Sequence, residues 1–194
     1  MKKIHLFLII IMLFSSCSKY EMDRTIFIPD PDDYNLPAYT EWGYNTFGAE
    51  YERDYFLVSN QIVPCKILYK DNQLQFSLSG TIRNGKEMTL SFIFPAEPMK
   101  NYKNLMLLHD KDIDLTNEKC IVKILQDDTE TVLEIINSGS LYFKRVQLLT
   151  IDDVENRVIL SGYFCFDFKQ NNFPSFICNG RFDLGITEHL FYAY

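Results

Sequence analysis

The sequence predicts an all-β protein built as an antiparallel β-sandwich, with a flattened β-barrel as the alternative. Three observations support this fold class. The chain has 194 residues, of which 47% are hydrophobic and 15% aromatic, which is enough for a packed core. Apolar and polar residues alternate along many short runs. No run after the N-terminal segment keeps a helical period over three turns, so we expect little or no helix there.

Residues 1–16 have the features of a lipoprotein signal peptide. A basic start precedes an apolar run that is too short to span a bilayer, and two serines precede Cys17. This arrangement resembles a bacterial lipobox, although Phe14 stands where leucine is commonest. The resemblance implies that Cys17 carries the lipid, and Ser18 in place of aspartate favours the outer membrane. The alternative is an ordinary cleaved signal with an incidental cysteine.

Residues 17–38 are predicted to form a lipidated tether. The stretch is polar, carries several prolines and has no sustained period. At full extension it would reach about 70 Å. Residues 39–194 then form a single β domain of ordinary size. The net charge of -7 argues against nucleic-acid binding, which needs clustered lysine and arginine.

The first of two predicted hairpins runs over residues 74–82 and returns over residues 86–94. A three-residue loop that ends at Gly85 pairs Phe76 with Phe92 on one apolar face. A two-residue Asn-Gly turn would pair apolar with polar side chains instead. The hydrophobic pattern therefore favours the longer loop.

The second predicted hairpin joins residues 160–168 to residues 176–184. Its predicted apolar face has five pairs: Leu160–Leu184, Gly162–Phe182, Phe164–Gly180, Phe166–Cys178 and Phe168–Phe176. A large ring faces a glycine twice, so that bulky side chains fit on one narrow face. The opposite face, which carries Tyr163 and Arg181, is predicted to be wet.

Seven further runs are predicted as strands. They are residues 44–51, 55–59, 64–69, 105–108, 120–125, 131–136 and 141–150. The run 120–125 is apolar on both faces, which is typical of a strand covered on both sides.

Four cysteines follow Cys17, namely Cys65, Cys120, Cys165 and Cys178. An even number in an exported protein invites disulfides. The predicted register, however, places Cys165 and Cys178 on opposite faces of their hairpin, where they cannot meet. We therefore expect four free thiols, while the sequence leaves a disulfide open.

The residues around His109 superficially resemble a calcium loop, because Asp112 and Asp114 alternate with other residues there. Leu115 stands where such loops need a glycine, and the closing glutamate is missing. The favoured interpretation is a turn followed by an edge strand with Ile113 and Leu115 inward. The sequence predicts no metal site and no cofactor.

Catalytic signals are weak. The sequence has no glycine-flanked nucleophilic serine with an evident histidine partner. A carboxylate pair of the glycosidase type is conceivable among 26 acidic residues, but none stands out. The prediction therefore leans against an enzyme.

Aromatic residues cluster where the tether enters the domain. Tyr39, Trp42 and Tyr44 there, together with Tyr163 and Arg181 on the wet face, are the candidate binding residues. Exposed aromatics on a rigid sheet can stack on sugars or anchor a protein partner. The alternative is that Trp42 closes one end of the core.

Residues 39–49, 160–164 and 180–185 carry a resemblance to an uncharacterised family of lipid-anchored domains from gut anaerobes. The similarity covers most of residues 39–187. It implies an envelope location and the extent of the domain, and it transfers no catalytic or binding residue.

The functional prediction is an outer-membrane lipoprotein held by its lipid at Cys17, facing either the cell surface or the periplasm. Its β domain would bind a glycan or an envelope protein without catalysis. The alternative is a hydrolase that acts on envelope or dietary polysaccharides through a carboxylate pair.

Overall fold

The computed structural model describes residues 24–60, 62–82, 85–170 and 173–194. The predicted signal peptide, Cys17 and the first part of the predicted tether lie outside these residues. Within the described ranges the chain forms the following strands: β1 Thr46–Tyr51, β2 Asp54–Val58, β3 Cys65–Lys70, β4 Gln73–Ile82, β5 Lys86–Pro95, β6 Lys111–Asp114, β7 Ile121–Gln126, β8 Thr129–Val132, β9 Ile136–Ile151, β10 Val154–Gln170, β11 Phe173–Ile186 and β12 Phe191–Ala193.

The strands form one largely antiparallel sheet in the order β6-β9-β10-β11-β1-β2-β4-β5-β7-β8. β3 pairs with β4, and β12 pairs with β3 in parallel. Within the described residues β6 and β8 end this order without pairing to each other, so the sheet does not close. The fold is all-β and sandwich-like, as the sequence predicts.

Phenylalanine rings join the two layers of the sandwich. Phe76 on β4 lies 5.4 Å from Phe143 on β9 and 5.2 Å from Phe182 on β11, between ring centroids. Phe92 on β5 reaches Phe164 on β10 at 5.5 Å. Because these contacts connect distant strands of one sheet, the sheet folds onto itself around an aromatic core.

The first predicted hairpin is confirmed. β4 pairs with β5 in the expected register, with Phe76 opposite Phe92. Ile82 pairs with Lys86, and Gly85 has a φ of 76°, as the three-residue loop requires. On the other face Ser77 and Ser91 share a hydrogen bond of 2.9 Å.

The second predicted hairpin is confirmed only in its first half. Gly162 faces Phe182 and Phe164 faces Gly180, but Phe166 then faces Ile177 instead of Cys178. The ladder contains a β-bulge here, because Asn179 adopts a φ of 50° and adds one residue to β11.

The predicted register beyond this bulge is therefore wrong. Phe168 pairs with Ser175 instead of Phe176. Ile177 is buried, whereas Phe176 is exposed. Relative to the prediction, the extra residue turns the β11 side chains between the bulge and the hairpin loop to the opposite face.

The same bulge overturns the expectation of four free cysteines. Cys165 and Cys178 form a disulfide on the outer face of the hairpin, with Cα atoms 4.0 Å apart. The bulge turns Cys178 away from the core and towards Cys165. Cys65 and Cys120 are free.

The predicted strand at residues 105–108 is wrong, because these residues belong to a 3-10 helix, Tyr102–Leu108. The Asn101 side chain accepts a hydrogen bond from the Lys103 backbone N–H, and the Asn104 side chain accepts one from the Asn101 backbone N–H. Leu105 and Leu108 are spaced by one 3-10 turn and bury together. A second 3-10 helix spans Glu188–Leu190. No helix among the described residues is long and apolar enough to cross a membrane.

The described part of the predicted tether, residues 24–38, lies along the sheet. The Ile26 N–H donates to the Tyr44 carbonyl at 2.9 Å, and the Ala38 N–H donates to the Ile28 carbonyl at 2.7 Å. Leu36 is completely buried. Residues 24–38 are thus packed on the folded domain.

Candidate functional site

A row of polar and aromatic residues crosses the outer face of four neighbouring strands. Asp112 on β6 is paired with Tyr142 on β9, and Tyr142 is paired with Tyr163 on β10. Tyr163 is in turn paired with Arg181 on β11. These four residues share one face of the sheet because cross-strand partners point in the same direction.

The row lines a groove of about 440 Å³, which we call the outer-face groove. Besides the four residues of the row, its walls include Ser140, Asn179 and the disulfide residue Cys165. It therefore combines ring faces with hydroxyl, amide, carboxylate and guanidinium groups. Such a mixture suits a ligand that offers both apolar faces and many hydrogen-bonding groups.

Tyr39 stacks on Tyr163 at the edge of the groove. The ring centroids are 4.5 Å apart and the planes differ by 21°. Lys144 Nζ lies 4.6 Å from the centroid of Tyr39 and 5.7 Å from that of Tyr163. The ammonium group therefore makes cation–π contacts with both rings of the stacked pair, the shorter one with Tyr39.

A second bulge explains the position of Lys144. The pairing between β9 and β10 passes from Tyr142–Tyr163 to Arg145–Ser161, so two residues of β9 stand opposite Gly162. Phe143 points into the core, and Lys144 is exposed beside the aromatic stack.

The tyrosines of this site are held in their protonated forms. Burial raises the pKa of Tyr163, and Arg181 partly offsets that effect. Burial also raises the pKa of Tyr39, as does the hydrogen bond that its hydroxyl donates to Glu41. The hydrogen bond that the Tyr142 hydroxyl donates to Asp110 raises the pKa of Tyr142. At neutral pH all three hydroxyls therefore keep their protons.

Arg181 is bound to the N-terminal segment. Its guanidinium forms an ion pair with Asp30 and donates through Nε to the Asn179 carbonyl. The backbone N–H of Asp32 is the main reason why the pKa of Asp30 is lowered, and Arg181 adds to the effect. Arg181 thus joins the floor of the outer-face groove to the segment that leads towards the N-terminus.

A buried carboxylate positions the loop of residues 40–44. Asp183 accepts hydrogen bonds from the backbone N–H groups of Trp42, Gly43 and Tyr44 at 2.7 to 3.2 Å. Two hydroxyls, those of Thr40 and Ser161, also donate to it. Asp183 is only 1% exposed, so this end of the predicted wet face is covered by the loop.

The structure brings Tyr39, Tyr163 and Arg181 together. The sequence named these residues as candidates on two surfaces, and it did not predict that the two surfaces meet. Trp42 is carried on the 40–44 loop and is 71% exposed, so the alternative in which it closes the core is wrong. Tyr44 is half-buried and accepts the Ile26 N–H through its carbonyl.

Sequence reasoning missed Tyr142, Lys144 and Asp183. The one usable signal was Asp183 itself, a carboxylate between Phe182 and Leu184 in an apolar strand. A charge in such a place is rarely buried without several donors.

Two residues of the calcium-like stretch, His109 and Asp114, accept hydrogen bonds from the backbone. The His109 Nδ1 accepts the Val146 N–H at 3.1 Å, and Asp114 caps the turn at Thr116. Residues 111–114 form the edge strand β6, and Leu115 is buried, as predicted. Among the described residues no group of three or more histidine, cysteine, aspartate or glutamate side chains could hold a metal ion.

Comparison with protein-family models, curated proteins and solved structures finds no match for this chain.

Proposed function

We propose that the chain is an outer-membrane lipoprotein, lipidated at Cys17, whose β domain binds a glycan in the outer-face groove without catalysis. The observation that carries the binding proposal is the row of Asp112, Tyr142, Tyr163 and Arg181, extended by the stacked ring of Tyr39.

The chemistry of the groove supports a carbohydrate ligand. Sugar rings present apolar C–H faces, which stack on aromatic rings, and equatorial hydroxyls, which need donors and acceptors. The Tyr39 and Tyr163 rings offer the first kind of contact, and Ser140 and Asn179 offer the second. Because the groove is built on paired strands, its side chains need little ordering when a ligand binds.

Two observations support a location outside the cytoplasm. The N-terminal residues have the pattern of a lipoprotein signal peptide. The described domain also contains a disulfide on its outer face, and such bonds persist mainly in oxidising compartments.

Binding can be tested with a soluble form that begins at Ser18. It is titrated with a panel of envelope and dietary polysaccharides by affinity electrophoresis and calorimetry. We expect saturable binding to at least one of them, and Tyr163→Ala should weaken it by about tenfold, the loss typical of an anchoring aromatic.

Tyr192→Ala is the matched control. Tyr192 is 40% exposed and has Lys66 Nζ over its ring at 4.9 Å, but it lies on β12, outside the groove. No binding across the panel, or equal losses in both variants, would refute the proposal. Release of new reducing ends would instead point to the polysaccharide hydrolase.

The lipid anchor is tested separately. Cells that express the full chain are labelled with radioactive palmitate, and their outer membranes are isolated. The wild-type chain should carry the label and sediment with the outer membrane, whereas Cys17→Ala should lose both. A labelled Cys17→Ala chain would contradict the assignment.

A further inference from the structure

A second cavity, of about 620 Å³, opens at the end of the sandwich where the described chain begins. Arg24 and His189 line it together with the apolar residues Val63, Pro64 and Leu190. Val63 is 62% exposed although it is aliphatic. This cavity is distinct from the outer-face groove, with which it shares no residue.

The charge of the residues that line this cavity differs from that of the chain as a whole. The protein has a net charge of -7, yet none of the described residues that line the cavity is acidic. A cation next to one exposed aliphatic side chain, Val63, and the half-buried Pro64 and Leu190 matches the headgroup region of a bilayer, where phosphates lie next to hydrocarbon.

The docked N-terminal segment limits how far this end can lie from a lipid at Cys17. Residues 24–38 are held on the sheet by Leu36, by backbone hydrogen bonds and by the Arg181–Asp30 ion pair. Only the seven peptide steps from Cys17 to Arg24 are left to span the distance. Fully extended, they reach about 25 Å, compared with about 70 Å for the whole predicted tether.

We propose that the end of the domain around Arg24 and Val63 rests on the lipid headgroups of the membrane that holds Cys17. This inference depends on the lipid anchor of the proposed function. The apolar side chains of Val63 and Pro64 enter the interfacial region, and Arg24 contacts lipid phosphate.

The opposite end of the sandwich provides a reference position for measuring which end lies closer to the membrane. Gly185 lines the cavity near one end of β11, and Phe173 begins the strand at the other end. At a rise of about 3.3 Å per residue these ends are roughly 40 Å apart. Phe173 is 73% exposed, so both positions accept a label.

The test uses the full lipidated chain in vesicles of phosphatidylethanolamine and phosphatidylglycerol. Val63→Cys and Phe173→Cys are made in a Cys120→Ser background, since Cys65 is buried and the remaining pair is bridged. Each cysteine receives an environment-sensitive fluorophore, and quenching by lipids with a nitroxide near the headgroup is measured.

We expect the label at residue 63 to be quenched about threefold more strongly than the label at residue 173. Arg24→Glu should reduce the quenching at residue 63, whereas Arg24→Lys should retain it. Equal quenching at both ends, or stronger quenching at residue 173, overturns the proposal.

Flotation of the same vesicles separates the two possible failures. A chain that floats with the vesicles but shows equal quenching is anchored in another orientation, and only the present proposal is lost. A chain that does not float refutes the lipid anchor and this proposal together, while glycan binding by the soluble form is judged independently.

Discussion

Replacement of Asp183 by Asn tests whether this buried carboxylate organises the loop beside the binding surface. Asn keeps the shape of the side chain but turns one acceptor oxygen into an NH₂ group. The amide can turn its NH₂ group to the Oδ1 position, where the Gly43 backbone N–H is the one donor that cannot turn away, because the Ser161 hydroxyl can rotate. The bond from Gly43 is then lost and its donor is left unpaired, at about 1.5–3 kcal/mol, and the bonds from the Trp42 and Tyr44 N–H groups lose their charge assistance, at about 1 kcal/mol each. We expect the free energy of unfolding to fall by about 3–5 kcal/mol.

Urea unfolding followed by circular dichroism measures this loss. A drop of that size lowers Tm by about 10 °C in a domain of this length. Asp167→Asn is the control, because Asp167 is exposed on the same hairpin and accepts only the Ser138 hydroxyl among the hydrogen bonds described. Equal unfolding midpoints for the two variants would refute the reasoning.

Three further predictions concern the hairpin and the N-terminal segment. Replacing Cys165 and Cys178 together by Ser should lower the free energy of unfolding by about 3 kcal/mol, because the bridge closes a loop with a sequence separation of 13. Gly180→Ala should cost about 1–3 kcal/mol, because its Cβ would lie 2.5 Å from a phenylalanine ring. Asp30→Asn should lower Tm at pH 7, and the difference from the wild type should be smaller at pH 3, which lies below the ordinary pKa of 3.8. The pKa of Asp30 is lowered in the folded state, so its contribution is complete above the ordinary value of 3.8 and is lost as the pH falls through the lowered value.

Each of these predictions has an outcome that contradicts it. Unfolding midpoints that do not differ between the bridged protein and the double serine variant would argue against a stabilising disulfide. Gly85→Asn is the control for Gly180→Ala, since the space around Gly85 is open, and equal losses would contradict the steric argument. For Asp30→Asn, a Tm difference that is the same at pH 3 and pH 7 would show that its ionisation is not responsible.

The two hairpins show how far the sequence predicts this fold. In the first, alternation over ten residues on each strand and one loop glycine determine the register completely. In the second, the bulge at Asn179 depends on a single residue in the left-handed conformation. Nothing in the alternation of the flanking residues marks that position, because Ile177 and Cys178 are both apolar enough to face the core.

The candidate site was predictable for residues that lie on one regular strand face, such as Tyr163 and Arg181. Lys144 was not, because a second bulge redirects its strand. The contact of Asp30 with this site was not predictable either. Its partner Arg181 is 151 residues away, and the polar composition around Asp30 is typical of a tether. Local patterns report which face a strand buries, and they do not report which distant segment covers the other face.

The parallel pairing of β12 with β3 affects the order in which the molecule can be completed. Phe191 pairs with Ile67 and Ala193 pairs with Tyr69. The edge of β3 that faces away from β4 therefore stays unpaired during synthesis until residues 191–193 have been added. Deletion of residues 191–193 would leave this strand edge exposed and open to self-association.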